Sequence, residues 1–144
     1  MRRIVALLVL VTAVACGGSD ATSPPGQTQG QAFKGTYALQ TVNGKTLPVT
    51  WNFNSGDSLK IRSYSISISG SGSWTSTTSE VFSSGGQVTD QPNGGQSGSY
   101  TYDAATKAVT LISQDQSTFL NGTVSTDFTT LTLAQNTDIF VFKR

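Results

Sequence analysis

From about residue 33 onward the chain is written in short runs of alternating apolar and polar positions. Leu47, Val49, Trp51 and Phe53 alternate with Pro48, Thr50 and Asn52. That period of two sets four large apolar side chains on one face of a strand. Leu59 and Ile61 continue on odd positions, whereas Tyr64, Ile66 and Ile68 fall on even ones, with Ser65, Ser67 and Ser69 between them. A slip of one residue would carry the apolar set to the wrong face, so a β-bulge is expected near Arg62-Ser63. Trp74, Ser76, Thr78, Glu80 and Phe82 share one side of the next strand. Further strand-like runs at 33–42, 100–102, 108–113, 118–124, 128–134 and 139–142 bring the count to about nine. Between them stand turn signals: Asn43-Gly44, the strongest short hairpin signal because both residues tolerate positive φ, then Ser55-Gly56-Asp57, Gly70-Ser71-Gly72 and Asp103-Ala104-Ala105-Thr106. Residues 83–98, rich in Ser, Gly, Gln and Asn around Pro92, read as the longest loop. No helical period follows the first sixteen residues.

Many short strands with turns between them define an all-β domain. A two-sheet sandwich needs some long crossover connections. Here nearly every connection is short, so neighbours in sequence should pair as hairpins. An antiparallel up-and-down meander of about eight to nine strands closes most simply as a small barrel, which removes exposed edges. Barrels of that size either fill with side chains or hold one small ligand.

The start of the chain follows a different rule. Arg2 and Arg3 precede an uncharged apolar run from Ile4 to Val11, then Ala13-Val14-Ala15-Cys16. A basic start, a short apolar centre and small residues before a cut point are the layout of a secretory signal, and the run is short of the roughly 20 apolar residues that span a bilayer. Residues 1–15 therefore read as a signal peptide. Residues 16–32 read as Cys16 followed by a flexible tether, since their Gly, Ser, Thr, Pro and Gln cannot bury enough surface to offset ordering entropy. Residues 33–144 form the folded domain.

The small-residue-Ala-Cys ending, here Ala13 to Cys16, resembles the lipobox of bacterial lipoproteins. The resemblance implies acylation of Cys16 on sulfur, palmitate being a typical chain. It also implies cleavage just before that residue, acylation of its new amino group, and a place in the cell envelope. If the host has two membranes, Gly17 rather than Asp resembles the signal for the outer membrane, facing the periplasm or the cell surface. Within the domain, Gly35-Thr36-Tyr37, the longer pattern Gly-x-Tyr-x-Leu-x-x-Val-Asn-Gly-x-x-Leu-Pro from Gly35 to Pro48, and the strand ending in Lys143-Arg144 resemble lipocalin-like (calycin) barrels. That likeness implies a lipocalin-like barrel with a basic side chain of the last strand, Arg144 or Lys143, packed over the first aromatic, Tyr37.

Composition narrows the chemistry. Only 12% of residues are charged, about half the usual share, and removal of Arg2 and Arg3 leaves seven basic against eight acidic side chains. Nucleic-acid binding, which needs clustered Lys and Arg, is not expected. The single cysteine excludes an internal disulfide. The absence of histidine excludes a Ser-His-Asp triad and a histidine metal site. Asp57, Asp90 and Asp103 read as solvated turn residues. Glu80, the only glutamate, is in phase with Trp74 and Phe82. It either faces the interior, where an unpaired carboxylate is costly, or is returned to solvent by a bulge. Asn121-Gly122-Thr123 matches a glycosylation sequon, with Gly122 marking a bulge or strand kink.

No cofactor and no catalysis are expected. The leading expectation is a monomeric, membrane-anchored lipoprotein whose barrel binds a small apolar or amphipathic ligand, with Trp51, Phe53, Trp74, Tyr100 and Tyr102 as candidate lining residues. The alternative is a filled barrel acting as an envelope interaction or inhibitor module through its loops, chiefly residues 83–98. A cavity below roughly 300 Å³ would favour the alternative.

Overall fold

The computed structural model describes residues 33–53 and 55–144; the signal peptide, Cys16 and the tether lie outside the described residues. Eleven antiparallel strands follow one another: β1 (Gly35–Val42), β2 (Lys45–Thr46), β3 (Val49–Asn52), β4 (Ser58–Ile68), β5 (Ser73–Ser84), β6 (Gln87–Gly94), β7 (Ser97–Tyr102), β8 (Ala108–Ser113), β9 (Phe119–Val124), β10 (Thr130–Gln135) and β11 (Asp138–Lys143). Eight of them close a barrel in the order β1-β11-β10-β9-β8-β7-β5-β4, with β1 pairing β4 to shut the ring. The expected meander and its closure are both present. The pattern missed two elements: the two-residue β2, and β6.

β6 overturns the reading of residues 83–98 as a loop. Gln87–Gly94 pairs with the outer half of β5 and lies off the barrel wall. From Gln87 to Asn93 every residue is exposed. With neither face buried, no alternation was selected, and a strand of this kind carries no hydrophobic period to read.

Two strands change partners along their length, and this gives the barrel its two unlike ends. β4 pairs β3 over Ser58–Ile61 and β1 over Ser65–Ile68. The extra residue at the change is Arg62, where the register against β5 shifts between Ile61 and Ser63. This is the bulge that the switch from odd to even apolar positions called for. It keeps Ile61 and Tyr64 both facing inward while twisting the strand. β5 likewise pairs β7 only over Ser73–Thr75, then β6 from Thr78 onward. The outer halves of β4 and β5, with β3 and β6, therefore leave the wall as a flap. A further bulge at Gln40 in β1 brings Leu39 and Val42 to the same inward face.

The core fills the other half of the barrel. Tyr37, Ile66, Trp74, Leu111, Leu131 and Phe142 are all buried. Each large apolar side chain removed from water contributes about 1.5–3 kcal/mol. Gly98 and Gly122 mark places where strands cross closely. A methyl group on Gly98 would stand 1.9 Å from the Ile112 carbonyl oxygen, and one on Gly122 1.8 Å from that of Thr132. Only glycine fits there, and β9 pairs β10 without a register shift, so Gly122 is a close approach and not a bulge.

Two hairpin turns share one hydrogen-bond scheme. In Ser113–Thr118 the Ser113 hydroxyl donates to Asp115, the Ser117 amide and hydroxyl donate to the same carboxylate, and the Thr118 amide donates to Ser113 Oγ. Ser125, Asp127, Thr129 and Thr130 repeat it. Gln116 and Phe128, each at φ 57°, occupy the matching left-handed position. The last case explains why the strand expected from 128 begins only at Thr130.

Candidate functional site

One end of the barrel is plugged. Phe33, where the described chain begins, is fully buried. Its ring centroid lies 5.8 Å from that of Tyr37, 5.5 Å from Tyr100 and 5.5 Å from Tyr102, within the range of favourable aromatic pairs. The polar tips are satisfied: Tyr37 donates to the Phe33 and Phe128 carbonyls, Tyr100 to that of Ser69. Lys107 stands 5.3 Å over the Phe128 ring and donates to the Tyr102 hydroxyl. Arg144 crosses the start of β1 so closely that a Cβ on Gly35 would be 3.0 Å from its Nε. Burial pushes the Tyr37 hydroxyl up from its usual pKa, while the adjoining Arg144 guanidinium pulls it down. The basic side chain that follows the last strand thus sits beside Tyr37, the aromatic of the first strand.

The other end is hollow. Between the flap and β9–β11 lies a cavity of about 660 Å³, inside the 300–1,000 Å³ range of small-molecule sites. Its apolar walls come from Trp51, Leu59 and Ile61 on the flap side and from Leu120, Leu133, Phe140 and Phe142 opposite. Trp51 and Phe140 approach to 6.3 Å between centroids, and Tyr64 meets Phe142 edge-on at 5.3 Å. The exposed Phe53 lines the cavity as well, so the space reaches solvent at the flap end.

Polar groups enter from the flap and the rim. Ser76, Thr78 and Glu80, alternate residues of β5, face the cavity. Glu80 therefore takes the inward of its two expected orientations. The bulge in the β5–β6 pairing falls on β6, opposite Thr78 and Glu80, and leaves the phase of β5 unchanged. The Thr78 hydroxyl donates to Glu80 Oε1 at 3.0 Å, and the carboxylate is only part-buried, which keeps the cost of holding the charge there low. Tyr64 adjoins both Ser76 and Glu80. Burial raises its hydroxyl pKa, the hydrogen bond with Ser76 lowers it, and the charge of Glu80 raises it further. At the rim, Asn43 of the β1–β2 turn donates to Asp138 at 2.6 Å and accepts the Ile139 amide.

Of the five aromatic residues singled out from the sequence, Trp51 and Phe53 line this cavity. Trp74, Tyr100 and Tyr102 do not. The Trp74 indole N–H donates to the Ser99 and Ile112 carbonyls within the packed core, and the two tyrosines belong to the plugged end. Alternation alone says which side chains point inward and is silent on the depth at which the interior stops being filled. Tyr64 was legible as an inward residue for the same reason, and Phe140 and Phe142 lie in the run expected at 139–142, without any sign that they border empty space. Among the described residues no three His, Cys, Asp or Glu side chains gather as a metal site.

Fold and site together define a class: a closed antiparallel eight-stranded barrel, packed at one end and hollow at the other. No protein-family model, no curated protein and no solved structure matches the chain.

Proposed function

We propose that this chain is a binding protein, without catalysis, which holds a small apolar or amphipathic molecule in the open half of a lipocalin-like barrel. The observation that carries the reading is the cavity of about 660 Å³, more than twice the volume below which a filled, ligand-free module would be favoured. Seven apolar side chains from both walls supply the burial, and Tyr64, Ser76, Thr78 and Glu80 fix orientation. We further propose that Cys16 is acylated and anchors the protein in the cell envelope.

Trp51 and Trp74 are the only tryptophans, and only Trp51 lines the cavity. Titration of the purified protein with 1-decanol should change the emission of Trp51 in a saturable way, and the change should vanish in Trp51→Phe. A flat titration, or a response that survives in Trp51→Phe, would refute binding in this cavity.

A further inference from the structure

Among the described residues, the cavity lining contains two carboxylates, Glu80 and Asp138, and no lysine or arginine. The nearby cations of β4 point away from it. Lys60 alternates with the inward Leu59 and Ile61, and Arg62 is held on the outer face by Asp90, 2.8 Å from its guanidinium. Lys107 and Arg144 belong to the plugged end. Asp138 is already engaged by Asn43. Among the described residues Glu80 takes one hydrogen bond, on Oε1 from Thr78, and it borders the cavity beside Tyr64. Around it the walls are aromatic: Trp51 against Phe140, and Tyr64 against Phe142. Aromatic faces attract ammonium groups, and a partly desolvated carboxylate strengthens that attraction. The same groups repel an anionic head.

Resting on the cavity reading above, we infer that the ligand is an amphipathic organic cation, with its ammonium group at Glu80 between the aromatic walls and its apolar body against Leu120, Leu133 and Ile61. A fatty-acid anion would place like charges together in a site with no cation among its described lining residues. The narrower claim concerns the head group alone, so it can fail while the cavity reading stands.

Three probes of matched chain length separate the two: decyltrimethylammonium and decanoate below their micelle concentrations and 1-decanol below its solubility limit, titrated into the full chain at pH 7.5 with Trp51 emission as readout. The cation should bind at least about tenfold more tightly than decanoate, with decanol between them. Glu80→Gln, which keeps shape and removes charge, should shrink that gap severalfold while decanol affinity stays within about twofold. Asp90→Asn, an acidic change on the outer face, should leave the ranking intact. Thermal melts of each variant confirm folding. Decanoate binding as tightly as the cation, or a gap that survives Glu80→Gln, overturns the inference and spares the cavity. Silence from all three probes overturns both.

Discussion

Replacing Phe33 by alanine tests how the barrel is closed. The ring is fully buried and contacts three tyrosines at 5.5–5.8 Å between centroids. Buried Phe→Ala changes cost about 3–5 kcal/mol. Each aromatic pair is worth about 0.5–1.5 kcal/mol beyond its area, and part of that is already counted in the truncation figure. We take the lower bound, about 3 kcal/mol, as the expected loss. For a domain of this length that corresponds to a fall in Tm of roughly 12 °C. Urea unfolding followed by Trp74 emission in a Trp51→Phe background measures it. An unchanged m-value with a lowered midpoint would show lost stability and not a changed denatured state. Decanol affinity should be nearly unaffected, because the plug and the cavity occupy opposite ends. A loss below about 1 kcal/mol would refute the plug, and a large loss of decanol binding without unfolding would refute the separation of the two ends.

Two further outcomes are expected. The hydrogen bonds from Ser113 and Ser117 hold the Asp115 carboxyl down at about 2, and those from Ser125 and Thr129 hold Asp127 below its usual range. Each carboxylate thus has a folded pKa below its unfolded value, so its contribution is complete above about pH 5. That contribution should be lost as pH falls through each folded pKa, which for Asp115 lies at about 2. The urea midpoint should drop between pH 5 and pH 2.5, less steeply in Ser113→Ala and Ser125→Ala, and a midpoint flat across that range contradicts the turn scheme. For the proposed anchor, Cys16→Ser should shift the protein from the membrane to the soluble fraction and abolish labelling by a clickable palmitate analogue, whereas unchanged fractionation would exclude acylation as the tether.

What the sequence determined is the set of inward positions. Period-two alternation is a local consequence of one buried and one wet strand face, so β3, β4 and β8–β11 could be placed from it. The switch of parity between Ile61 and Tyr64 announces the Arg62 bulge. Asn43-Gly44 likewise forms a turn with both residues at positive φ, because the residue types themselves favour that backbone. β6 was invisible, since a strand exposed on both faces needs no pattern. The tertiary structure alone decided where the interior is filled. Phe33, Trp74, Tyr100 and Tyr102 gather at one end because β1 closes onto β4 there and β5 pairs β7, while at the other end β4 and β5 exchange barrel partners for β3 and β6 and draw the wall outward. Whether an inward Trp51 or Glu80 meets side chains or open space depends on that exchange of partners between distant segments, and no local pattern encodes it.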